Sequence, residues 1–132
     1  MKTRMIWANL ISNDLDATSK FYSDLGFTQN QGHGSSDLVS FSFSESGFII
    51  NFFTETGIKM GKEGQWVDAK RENEVLFSLS ADSKEEVYQW LETAKAAGAK
   101  IFEEPANIGE GYSFGFADPD GHKYNVLYWP GM

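Results

Sequence analysis

The 132-residue chain has no cysteine, two histidines, three prolines, and 11 basic residues against 19 acidic ones. Without thiols, disulfides, thiol redox chemistry and thiolate zinc sites are excluded. The histidines are His33, in a glycine-rich loop, and His122, just after a turn; so placed they do not suggest a histidine-based nucleophilic triad. Serine is abundant, but nothing resembles a nucleophile elbow. A net charge of −8, with no cluster of lysine and arginine, argues against nucleic acid as a partner. No apolar run reaches membrane-spanning length, so no membrane partner is expected. The N-terminus, MKTRMIWANLI, has a short apolar run but polar Asn9 and, just beyond, Asn13, and lacks a signal-peptide core and a small-residue cleavage site; the cytoplasm is the expected compartment.

What is present suits a globular chain. Hydrophobic residues make up 41% and aromatics 15%, with eleven phenylalanines, which implies a dense core or an apolar cavity. The length suits one domain, or two small modules sharing a core.

Tyr112 to Trp129 carries the clearest pattern. Asp118-Pro119-Asp120-Gly121 is turn chemistry: proline presets φ, aspartate bonds nearby backbone N–H groups, and glycine takes the conformation other residues avoid. Tyr112–Ala117 and Lys123–Trp129, on either side, are rich in aromatic and β-branched residues and read as strands. A shorter echo precedes it: Leu38–Ser44, a turn at Glu45-Ser46-Gly47, then Phe48–Phe53.

Met5–Ser12 reads as a first strand. A helix over about 15–25 follows, capped by Asp14 or Asn13, with Thr18, Phe21, Tyr22 and Leu25 on one face and Gly26 as its stop. Phe27–Gln31 suggests a short strand, then a loop at Gly32-His33-Gly34-Ser35-Ser36. From Thr54 to Asn73 the chain is rich in charge and in Gly57, Gly61 and Gly64. Only Ile58, Met60, Trp66 and Val67 anchor it, so it reads as a linker, a lid, or both. Glu74–Ser80 is the next strand. Ser83 with Glu86 forms a possible capping box for a helix whose stripe is Val87, Trp90, Leu91 and Ala94, ended by Gly98. Lys100–Glu103 is a strand and Pro105–Gly111 a loop.

The order strand, helix, three strands therefore occurs twice. Asp14 corresponds to Asp82, Gly26 to Gly98, Gly47 to Gly121 and Asn51 to Asn125. The expected fold is α+β, with tandem βαβββ modules curling into a partly open barrel around a cavity. The first module is expected at 1–54, a linker or lid at 55–73 and the second module at 74–132.

Three stretches, ISNDLDATSKFYSDLGF, SADSKEEVYQWLETAKAAGAK and FADPDGHKYNVLYW, stand in the order found in the vicinal oxygen chelate superfamily, which the chain resembles over most of its length. That superfamily includes glyoxalase I, bleomycin-resistance proteins and extradiol dioxygenases. The second half is most similar to a glyoxalase-like bacterial subgroup whose label describes fold rather than demonstrated activity. The resemblance implies an incomplete barrel per module, a cavity enclosed by both, and frequent homodimers. It also places metal ligands, usually His, Gln or Glu, on the first and last strand of each module. Those positions align here with Trp7, Asn51, Val75 and Asn125. Trp and Val do not ligate, and neutral amides suit at best a weak hard-cation contact. No metal and no other cofactor is expected.

On the same alignment the cavity is lined by Trp7, Asn9 and Ile11, by Ile49, Asn51 and Phe53, by Val75, Phe77 and Leu79, and by Asn125, Leu127 and Trp129. It either binds a small molecule or is simply filled by these side chains. Trp66 either pins the linker or, with Tyr112 and Glu110, forms a rim; Glu55 and Glu110 are the carboxylates nearest such a role. The expected ligand-binding set is Trp7, Asn9, Asn51, Phe53, Trp66, Phe77, Tyr112, Asn125 and Trp129. Two functions fit. One is a metal-independent module of bleomycin-resistance type that binds a small aromatic or cationic molecule between modules, in a homodimer. The other is a glyoxalase-like lyase or isomerase acting on a small carbonyl compound, with acid–base groups drawn from the rim. Amides rather than carboxylates at 51 and 125 favour the first, and true lactoylglutathione lyase activity is not expected.

Overall fold

The computed structural model describes residues 1–32, 36–58 and 63–131. His33 of the predicted loop and Met60 and Gly61 of the predicted linker lie outside the described residues. The chain divides into two compact units, Met1–Val67 and Asp68–Met132.

In the first unit, β1 (Trp7–Ile11) leads to α1 (Leu15–Asp24), then β2 (Thr28–Gln29), β3 (Leu38–Ser42) and β4 (Ile49–Phe53). Asp14 caps α1 by accepting from Ala17 N at 3.0 Å, and Gly26 takes the left-handed turn that ends it, at φ +99°. The sheet order is β1-β4-β3-β2, with β1 and β4 parallel and the other pairs antiparallel.

The face beneath α1 is aromatic. Tyr22 is fully buried and stacks on Phe52 at 4.6 Å, with Phe21, Phe41 and Phe43 at its edges. Such stacked and edge-on pairs each add a little beyond the area they bury. Thr18, on the same helical stripe, meets the buried Ser12 hydroxyl at 2.6 Å and so satisfies it.

The second unit repeats the plan with β5 (Leu76–Ala81), α2 (Lys84–Ala96), β6 (Lys100–Ile108), β7 (Gly111–Ala117) and β8 (Lys123–Tyr128). Its order is β5-β8-β7-β6, again with one parallel pair, β5 and β8. The tandem βαβββ arrangement of the α+β fold is thus present. Each sheet is open; neither closes into a barrel.

Ser83 accepts from Glu86 N at 3.1 Å. The return arm of the cap reaches one residue further than a standard box, from Glu86 Oε2 to Asp82 N. Val87, Leu91 and Ala94 are buried as the periodicity predicts, whereas Trp90 is only half-buried.

The expected loop at Pro105–Gly111 is corrected. β6 continues to Ile108 because it is an edge strand, where a proline removes no needed hydrogen bond, and two register irregularities absorb the misfit near Pro105. No described helix is long and apolar enough to cross a membrane.

Candidate functional site

One face of each sheet packs against its helix; the other is open, and the strand ladders decide which residues stand on it. In the first unit Trp7, Asn9 and Ile11 pair with Ile49, Asn51 and Phe53. Ile50 and Phe52, between them, are the fully buried residues under α1. The open face therefore carries Trp7, Asn9, Asn51 and Phe53 together, as alternation predicts.

A hollow of about 440 Å³ lies on this face, within the usual range of small-molecule sites. Trp7, Asn30, Leu38, Ser40, Ile49 and Asn51 line it. Trp7 is 53% exposed, so much of its indole is free for contact.

The polar groups here form two short chains. Asn51 Nδ2 donates to Asn9 Oδ1 at 3.1 Å. Asn30 donates to Ser40 Oγ at 3.0 Å and accepts from Ser42 Oγ at 2.8 Å. Asn51 Oδ1 and Asn9 Nδ2 have no hydrogen-bond partner among the described residues. An acceptor and a donor thus stand side by side beside an exposed indole. Asn30, Leu38 and Ser40 were missed from the sequence. They come from β3 and the residue just after β2, and Ser40 enters only because it pairs with Asn51 across the ladder.

In the second unit the alignment needs a one-residue correction. β5 pairs Leu76, Ser78 and Ser80 with Lys123, Asn125 and Leu127. Phe77 therefore lies on the helix-facing side, stacked on the fully buried Tyr124 at 5.5 Å, and Leu79 shares that side; neither lines the open face. The position equivalent to Trp7 is Leu76, not Val75.

Asn125 does stand on the open face, but each end of its amide already has a partner. It accepts from Ser78 Oγ at 2.6 Å and donates to Ser113 Oγ at 3.1 Å. The two repeat-related amides are thus unequal: Asn51 has an oxygen to offer, and Asn125 has both ends held.

Tyr112 stands on the other face. It shares the parity of the buried Phe114 and Phe116 and turns toward α2, where its hydroxyl meets that of Tyr88 at 2.5 Å and Lys84 Nζ sits 5.3 Å from its ring. The hydrogen bond to Tyr88 holds the proton on Tyr112, and partial desolvation and the neighbouring phenol act the same way. Its pKa is raised above the ordinary phenol value.

Trp129 packs against the β6–β7 turn, where a Cβ on Gly111 would lie 2.6 Å from its ring. Glu110 is exposed at that turn, and Glu55 is exposed in the first unit. Trp66 is half-buried, with its indole N–H buried and without a hydrogen-bond partner among the described residues.

The donor set at the implied metal positions, now Trp7, Asn51, Leu76 and Asn125, offers no imidazole and no carboxylate. It does not fit a divalent transition metal. One group of candidate ligands does gather elsewhere: donor atoms of Asp118, Asp120 and His122 lie within 4.8 Å of one another. Its geometry is that of a turn staple. Asp118 Oδ1 accepts from both Asp120 N and His122 N at 2.9 Å, and Gly121 supplies the φ of +92° that the turn needs.

A family described as the Glyoxalase/Bleomycin resistance protein/Dioxygenase superfamily matches residues 4–126. Among solved structures, hypothetical protein SA1046 from S. aureus is similar at 28% identity and TM-score 0.75, over 94% of this chain and 96% of that one. A glyoxalase/bleomycin resistance protein/dioxygenase family enzyme from Burkholderia phytofirmans matches at 19% identity and TM-score 0.74, over 92% and 95%. A lactoylglutathione lyase from Agrobacterium tumefaciens matches at 21% and 0.70, over 99% and 98%. The last two likenesses, at such identities, concern the fold. No curated protein matches the chain.

Proposed function

Because the chain belongs to the glyoxalase/bleomycin resistance protein/dioxygenase superfamily yet lacks imidazole and carboxylate at the implied ligand positions, we propose that it is a metal-independent small-molecule binder. Its ligand is a small, neutral, planar aromatic compound carrying an amide-like donor and acceptor. The observation that carries this reading is the Asn9–Asn51 pair, with one donor and one acceptor unpartnered among the described residues beside the exposed Trp7 indole. Apolar walls with a few fixed polar groups are the general form of such sites. Between the aromatic and cationic ligands expected from the sequence, the lining favours the aromatic one, since its described residues include no carboxylate.

The reading is tested with benzamide as a probe, followed by amide NMR and by calorimetry, alongside metal analysis of the purified protein. Saturable shifts at Trp7 and Asn51, weakened about tenfold by N51A, are expected. Near-stoichiometric nickel, zinc, iron or manganese, or benzamide shifts that N51A leaves unchanged, would overturn it.

A further inference from the structure

The second unit carries a hollow of about 320 Å³ with three lysines in its lining. Lys70, Lys100 and Lys123 line it, together with Phe102. Three of the chain's 11 basic residues thus meet around one cavity of a protein whose net charge is −8. They arrive on three separate segments: the stretch before β5, the start of β6 and the start of β8. A surface helix gathers like charges by its own periodicity; this gathering needs the tertiary fold.

Lys123 is held by its ammonium and Lys70 by its backbone. Lys123 Nζ donates to Gly121 O at 2.9 Å and also to Ala69 O, which ties the 69–70 backbone to the β7–β8 turn. Lys70 N donates to Asp68 Oδ1 at 3.0 Å, and a Cβ on Gly121 would lie 2.5 Å from that same nitrogen, so the two segments are in direct contact. Lys100 and Lys123 both pair with Ala117, from opposite sides, and so stand in one row on the open face. Beside them the Phe102 ring lies against Gly115, where an added Cβ would be 2.4 Å from Cε2. The ring, in a residue 42% exposed, gives the hollow an apolar wall.

Among the described residues of the lining, negative charge comes only from Asp118, whose Oδ1 is already engaged by two backbone N–H groups. The end of α2 is nearby, but the carbonyls of Thr93, Ala94 and Lys95 accept from Ala97, Ala99 and Gly98, so its last turn does not present them all bare.

We propose that this hollow is a second binding site, for a small planar carboxylate. The carboxylate is held by the ammonium groups of Lys70, Lys100 and Lys123, and the ring lies on Phe102. Charge-assisted hydrogen bonds to a carboxylate are among the stronger polar contacts, and the volume suits a single-ring acid.

The probes are benzoate and its neutral counterpart benzyl alcohol, titrated into the full chain and read by backbone amide NMR. Saturable benzoate shifts are expected at Lys100, Phe102 and Lys123, with no matching shifts from benzyl alcohol. K100Q and K70Q, which leave the Lys123 clamp intact, are each expected to weaken benzoate about tenfold. F102A is expected to weaken it without restoring benzyl alcohol. Equal shifts from both probes, or affinity unchanged in K100Q and K70Q, would overturn the assignment. Benzoate shifts confined to Trp7 and Asn51 would overturn it too, while leaving the first hollow's reading intact. Benzamide failing at Trp7 while benzoate binds at Lys100 would do the reverse.

Discussion

Asn51 donates to Asn9 across the parallel β1–β4 pair at 3.1 Å, and the matching bond in the other unit runs instead from Ser78 to Asn125 at 2.6 Å. A hydroxyl replaces an amide at the repeat-equivalent place, and with Ser113 it closes off both ends of Asn125. N51A is therefore expected to weaken benzamide about tenfold at small cost to the fold, because its bond is solvent-exposed: about 1 kcal/mol or less. N125A leaves the hydroxyls of Ser78 and Ser113 without their amide and is expected to cost more stability than N51A while leaving benzamide affinity unchanged. Calorimetry and urea unfolding of both variants check the contrast.

Tyr22 anchors the first unit. It is fully buried and in contact with five other rings. Y22A is expected to lower the unfolding free energy by about 3–5 kcal/mol, measured by urea denaturation. Y22F, which keeps the volume, is expected to cost far less.

Asp118 is 5% exposed and holds two backbone N–H groups of its turn. D118A leaves both without that acceptor and is expected to cost roughly 2–3 kcal/mol. D118N retains an oxygen at the same place and is expected to recover most of the loss. Equal losses in the two variants would show that the negative charge, rather than the acceptor, sustains the turn.

The Tyr88–Tyr112 bond has a spectroscopic consequence. Tyr112 ionises above the ordinary phenol range because Tyr88 favours its protonated form. Its contribution is thus fully present below the unfolded-state pKa and is lost as pH rises through the raised folded value. Absorbance at alkaline pH is expected to show a late-ionising phenol that Y88F returns toward the ordinary range.

The elements were legible where their signals are local. Asp14 and Ser83 announce the helix starts, Gly26 and Gly98 the stops, and Asp118-Pro119-Asp120-Gly121 the last turn, all within a few residues of where they act. The open face of the first unit was legible too, because its residues alternate.

The second unit's face was misread by one residue because Val75, Leu76 and Phe77 are consecutively apolar. No alternation marks which one turns inward, and only pairing with Lys123 and Tyr124, far along the chain, decides it. Pro105 looked like the end of a strand because proline removes a donor, but an edge strand has a side on which that donor is not needed. Lys123 could have been placed by counting two residues back from Asn125. Lys70 could not, since its position depends on the close approach of Ala69 and Lys70 to Gly121.

The broken register of β6 bears on how the protein behaves at high concentration. This nine-residue strand is the longest among the described residues and forms an edge of its sheet. An unguarded margin of that length would recruit a strand from another molecule and seed fibrils. Here Glu103, Glu104 and Pro105 interrupt it at the place where the pairing shifts, so an incoming strand meets a missing donor, two like charges and an irregular backbone together. Pro105, which opens the loop expected from the sequence, thus stands with two carboxylates where an added strand would have to pair.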